Sequence, residues 1–142
     1  MNTNQNFNQI CKAFAEVLGG EPTIKNGVCT VILSRDIATT IQGVRSQSLL
    51  LYPADFSFEA LTEDGEALNL GAIGLLQGEV TPFIKEILKD ENMELGTLSN
   101  HWLYEDPRIL YTHFQSIQPP LDFAETVSRA FKTLQIQNFM TC

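Results

Sequence analysis

The feature that most limits the fold is the spacing of turn signals between strand-like runs. Asn26-Gly27 separates residues 22–25 from residues 28–34. Likewise Glu63-Asp64-Gly65-Glu66 separates the alternating run Asp55-Phe56-Ser57-Phe58-Glu59-Ala60 from the apolar run 67–76. Connections this short join antiparallel neighbours, because parallel strands need a crossover of about a dozen residues or more. The chain is therefore read as hairpins at 22–34 and 54–76. Residues 28–33 are β-branched and apolar on both faces, as a central strand requires. Gly71 and Gly74 inside the 67–76 run imply a bulge or a close backbone approach.

Three segments carry helical periodicity. Phe7, Ile10, Cys11, Phe14, Val17 and Leu18 form one apolar stripe, and Gly19-Gly20 followed by Pro22 ends it. Thr81 is read as the cap of a second helix with Pro82 at its first position, running on Phe83, Ile84, Ile87 and Leu88 to about Asn92. Pro119-Pro120 opens a third, with Phe123, Val127, Ala130, Phe131 and Leu134 on its stripe. Of the rest, Ile37 to Val44 has strand propensity. Residues 45–53 read as a loop with a partly buried Leu49–Leu51 segment. Met93 to Leu98 and Arg108 to Phe114 are strands about a turn at Glu105-Asp106-Pro107, and residues 135–142 are a mobile tail. The expected class is α+β: a largely antiparallel sheet of about five to seven strands with three helices on one face. One domain over 1–142, with its core in about 5–135, fits this length.

Nine basic against 17 acidic residues leave a formal charge of −8 and a pI near 4.6. Nucleic acid and anionic membrane surfaces are disfavoured as partners, because both require clustered Lys and Arg to displace counterions. No stretch approaches the roughly 18 apolar residues of a membrane span, and the first residues carry no secretory pattern. A cytoplasmic location is the expectation. Cys11, Cys29 and Cys142 are odd in number and lack a CxxC spacing, which suits reduced thiols, the first two packed in the core.

The two histidines are the main candidates for chemistry. His101 ends one strand and His113 lies inside the next. In an antiparallel hairpin, opposed residues keep a constant index sum, and these two share a face only when it is even. A tight turn at 104–107 pairs Leu103 with Arg108, an odd sum that sends the imidazoles to opposite faces. One extra loop residue or a bulge restores a common face. The plainer alternative for each is an imidazole bonded to a backbone carbonyl. Ser99 and His101 lie about 7 Å apart along a strand, too far for a nucleophile–base pair. Glu79 precedes the second helix, where a carboxylate complements the helix dipole. Trp102 could floor a pocket or close a hairpin core. Arg108 could clamp an anion or pair with Glu105 or Asp106.

The stretches Gly71-Ala-Ile-Gly-Leu-Leu-Gln-Gly-Glu-Val-Thr-Pro82, Leu98-Ser-Asn-His-Trp-Leu103, Asp106-Pro-Arg108 and Tyr111-Thr-His-Phe114 resemble the bacterial LppY/LpqO-like family, domain of unknown function 1259. The resemblance covers about residues 5–135. It implies site roles for Glu79, Asn100, His101, Arg108 and His113. His101, His113 and Glu79 would be catalytic groups; Ser99, Asn100, Trp102 and Arg108 would bind ligand. Ser99 stands where the family pattern has a histidine and Ala72 where it has an aspartate, so a metal site of the three-histidine kind would be short of ligands. Neither a metal nor any other cofactor is specified by the residues. The expected function is a ligand-binding or vestigial-site domain for a small molecule. The alternative is a metal-assisted or histidine-based hydrolase or lyase acting on a small anionic substrate. A homodimer is the expected form of any self-association.

Overall fold

The computed structural model describes residues 3–141, with side chains over 5–140. Helix α1 (Thr3–Leu18) leads into strands β1 (Pro22–Lys25), β2 (Val28–Arg35), β3 (Thr39–Ile41), β4 (Val44–Ser46), β5 (Pro53–Glu59) and β6 (Ala67–Leu76). A 3-10 turn (Gln77–Glu79) precedes α2 (Val80–Ile87). Strands β7 (Met93–Ser99), β8 (Glu105–Asp106) and β9 (Ile109–Gln118), helix α3 (Pro120–Phe131) and β10 (Phe139–Thr141) complete the order. The fold is α+β. Its main sheet has seven strands, in the order β1-β2-β5-β6-β9-β7 with β10 also on β2, and its pairings are antiparallel. A smaller sheet runs β4-β3-β8.

The local chemistry explains the hairpins. Asn26 and Gly27 both take positive φ (55° and 78°), the two left-handed positions that a two-residue hairpin turn demands. The alternation Asp55-Phe56-Ser57-Phe58-Glu59 places Phe56 and Phe58 on the helix side of β5 and leaves Asp55, Ser57 and Glu59 on the other. Helix α3 lies against both α1 and α2. Their stripes (Phe14 and Leu18; Phe83 and Ile87; Phe123 and Val127) bury against Val31, Phe56, Phe58, Ile73 and Phe114. Each such side chain contributes about 1.5–3 kcal/mol of burial. Among the described residues no helix packs on the opposite face of the sheet.

Both strand glycines mark close approaches, not bulges. A Cβ on Gly71 would meet the Phe114 ring at 2.5 Å, so the ring lies flush over this residue on the core side. A Cβ on Gly74 would meet Leu51 O and Tyr52 Cα at 3.1 Å, because the 48–52 segment crosses β6 there on the helix-free face. Around that crossing Leu51, Tyr52, Ile109 and Tyr111 form a second, smaller core.

Several expectations need correcting. Residues 39–46 form a hairpin, β3–β4, turning on Gln42-Gly43, so the second strand runs into the expected loop. Glu105-Asp106 forms a short strand pairing with β3. Thr81 is the second residue of α2 and caps nothing; the chain enters that helix through the 3-10 turn, and the helix stops at Ile87. Nor is the C-terminal segment a mobile tail: β10 pairs with the half of the β2 edge that β1 leaves open. Cys11 and Cys29 are not reduced thiols but a disulfide joining α1 to β2, with Cα atoms 5.7 Å apart and both residues fully buried. The expectation for Cys142 lies outside the described residues.

Candidate functional site

The β7–β9 register decides where the histidines point. Met93 to Leu95 pair with Ser116 to Phe114, and a β-bulge at Gly96 then shifts the register, so that Thr97 opposes His113 and Ser99 opposes Tyr111. Past the bulge the index sum is even. The chain leaves the strand at Ser99, and the 100–104 segment curls back so that the His101 ring stacks on Tyr111, with centroids 4.0 Å apart and planes within 3°. Tyr111 and His113, two residues apart on β9, face the helix-free side. Both imidazoles therefore line one hollow.

Across the sheet, Ile32 opposes Asp55, Asp55 opposes Ala72, and Ala72 opposes His113. Opposed residues share a face, so these four form a row of side chains over the outer surface of the sheet. Ala72 is the low point of the row. Asp55 and His113 stand on its two sides, roughly 10 Å apart at the backbone by two interstrand spacings. The 48–52 segment adds Leu49 and Leu50 as an apolar wall. The resulting hollow measures about 390 Å³. The Tyr111 hydroxyl ties its two loop walls together: it accepts from Trp102 Nε1 (2.6 Å) and donates to Leu51 O (2.7 Å). Burial raises the Tyr111 pKa to about 12, so this hydroxyl stays protonated and keeps donating.

Asp55 is the unusual group here. Its Oδ1 is buried and accepts no hydrogen bond, and it makes no ion pair among the described residues. Burial without a compensating partner raises its pKa above the ordinary aspartate value. Nothing in the sequence pattern singled it out, because its partners Ala72 and His113 come from different strands. The hairpin spacing about residues 60–66 does oppose Asp55 to Ala72, and that was the available signal.

The other residues named from the sequence lie elsewhere. Glu79 is fully buried and paired bidentately with Arg35, Nη1 to Oε1 at 2.6 Å and Nη2 to Oε2 at 2.7 Å. Leu76 N donates to Oε1, and Gln135 N and Ile136 N donate to Oε2. Burial acts to raise the Glu79 pKa. The Arg35 hydrogen bonds and charge, with the backbone donors, outweigh it and hold the carboxylate below its ordinary value. Arg35 in turn donates to Gly74 O and Ile136 O, so the pair joins β2, β6, the 3-10 turn and the segment after α3. Glu79 borders no part of the hollow.

Asn100 Nδ2 donates to Glu105 Oε1 (3.0 Å) and Ile109 O (2.9 Å), and Arg108 Nε pairs with the same Oε1 at 2.6 Å. These two close the 100–108 loop and do not line the hollow. Ser99 sits beside Tyr111 at the strand end, also outside the lining, while Trp102 acts on the site through Tyr111. Among the described residues no three His, Cys, Asp or Glu side chains converge closely enough to hold a metal ion. A larger open depression of about 910 Å³, at the α1 N-terminus and the β1–β2 and β5–β6 turns, has Glu63 as its one ionisable lining group among the described residues.

An α+β sheet covered by helices on one face, with a histidine-flanked hollow on the other, defines the structural class. Within it the chain belongs to the family described as Domain of Unknown Function (DUF1259), whose model matches residues 12–133. That span includes every residue of the hollow. Comparison with curated proteins gives no match, and comparison with solved structures gives none either.

Proposed function

We propose that the chain is a single small-ligand-binding domain whose ligand lies in the hollow over Ala72. The observation that carries this reading is the convergence of His101, His113 and Asp55 on one cavity of about 390 Å³. Apolar walls with a few convergent polar groups are the usual make-up of a small-molecule site, and that volume falls in the usual range. Two groups that a hydrolase or lyase would use with the histidines lie outside the hollow and are engaged: Glu79 has every lone pair occupied and Arg108 is tied to Glu105. That favours binding over the hydrolase or lyase reading, and it removes the anion holder which an anionic substrate would need.

The Cys11–Cys29 bridge supports residence in an oxidising compartment and not in the cytoplasm, where thiols are kept reduced. No helix among the described residues is long and apolar enough to cross a membrane.

Benzyl alcohol, a small neutral probe, tests the binding reading. Saturable shifts of the His101 and His113 ring signals in NMR are expected at millimolar concentration, and Ala72→Leu, which fills the floor of the hollow, should abolish them. Shifts that persist unchanged in Ala72→Leu would place the ligand elsewhere.

A further inference from the structure

Taking the hollow as a ligand site, which rests on the reading above, we infer that its ligand class is an organic cation: a primary ammonium on a small apolar body, with Asp55 as the residue that selects it. The polar lining is rich in acceptors. Asp55 contributes a carboxylate, and each neutral imidazole offers one acceptor nitrogen. An ammonium group brings three donors and a positive charge, and so matches a carboxylate flanked by imidazoles better than any acceptor-bearing anion.

Among the described residues no cation pairs with Asp55. Arg35 is committed to Glu79, Gly74 O and Ile136 O, and Arg108 to Glu105. Among the described residues Asp55 takes part in no ion pair, and its buried Oδ1 lacks a donor. Around it, β2 presents Thr30 and Ile32 and β6 presents Leu70 and Ala72, none of them ionisable. The titratable groups of the same hollow are His113, His101 and Tyr111. A half-buried carboxylate with one buried, unpaired oxygen beside an apolar wall is costly to maintain in a free protein, and a cationic ligand lowers that cost. The net charge of −8 adds a long-range field of the right sign. Ile32, Leu49 and Leu50 form the wall that would receive the apolar body.

The experiment compares benzylammonium, benzyl alcohol and benzoate on the native chain and on Asp55→Asn, at neutral pH, by calorimetry and by the carboxyl carbon signal of Asp55. Benzylammonium is expected to bind about tenfold tighter than the alcohol, with benzoate weakest. It should also shift the Asp55 carboxyl signal, and Asp55→Asn should cancel the preference for the cation over the alcohol. If the alcohol binds and benzylammonium binds no better, or if the preference survives in Asp55→Asn, the cation assignment is wrong while the hollow remains a ligand site. If benzyl alcohol also fails to bind and neither histidine responds, the binding reading falls, and this inference with it.

Discussion

Glu79 and Asp55 both have carboxylate oxygens withdrawn from bulk water, and the fold treats them in opposite ways. Glu79 meets a guanidinium fork and three backbone N–H groups, so all its lone-pair directions are engaged. Asp55, on the other face of the sheet, has a buried oxygen with no donor among the described residues. A charge that is fully served fixes the backbone around it; here Glu79 and Arg35 tie β2 and β6 to the turn before α2 and to the chain after α3. A charge left unserved costs stability and is retained where a partner from outside completes it. The same chemical group is thus structural in one place and, under the proposed function, receptive in the other, and its neighbours make the difference.

The comparison breaks most easily at Glu79. Glu79→Gln leaves the Arg35 cation buried without a counter-charge, and a loss of about 3–5 kcal/mol is expected in urea unfolding. Its pH dependence has a definite sign. The folded pKa of Glu79 lies below the unfolded one, so its stabilisation is present above the ordinary glutamate range and disappears as pH falls through the folded value. Acid unfolding of the native chain should therefore be steeper than that of Glu79→Gln.

The frame that holds both carboxylates apart is tested next. Replacing Cys11 and Cys29 together by alanine opens a link of 18 residues in sequence. A loss of about 3 kcal/mol is expected, with the histidine signals of the hollow unmoved, since the bridge lies on the helix side. Gly71→Ala forces a methyl against Phe114 directly beneath the row that bears Ala72. Overpacking of this kind costs about 1–3 kcal/mol, measurable as a lowered Tm. The smallest effect has the opposite sign. Asp55→Asn removes an unpaired charge and should stabilise the free protein by up to about 1 kcal/mol at neutral pH, a rise of roughly 2–4 °C in Tm. Because the folded pKa of Asp55 is raised, this gain should be absent well below the ordinary aspartate value and should grow as pH rises through the folded one.

What the sequence disclosed follows physical range. Elements specified by neighbours were legible: the α1 stripe with its Gly19-Gly20 stop, the Asn26-Gly27 hairpin, the alternation from Asp55 to Glu59 and the Pro119-Pro120 start of α3. Elements specified by distant partners were not. Phe139-Met140-Thr141 is too short to declare itself a strand, and becomes one only against the free edge of β2. Cys11 and Cys29 lie on apolar faces that suit buried thiols and a bridge equally well; only the packing of α1 on β2 distinguishes them. The start of α2 was misplaced because the Glu79 carboxylate organises the turn before it from the far side of an ion pair.

The site divides the same way. That His101 and His113 could share a face was visible as a question of parity, and the bulge at Gly96 supplies the shift that pairing arithmetic alone leaves open. For Asp55 the 60–66 hairpin discloses only the pairing with Ala72; its place in the hollow depends on the order β5-β6-β9.

The most direct test of the contrast between these carboxylates is a single carbon-13 NMR titration of the ligand-free protein that follows both side chains together. Glu79 is expected to titrate below the ordinary glutamate value and Asp55 above the ordinary aspartate value. An Asp55 carboxyl that titrates at or below its ordinary value would mean that this group is already hydrated or paired, and would contradict the account.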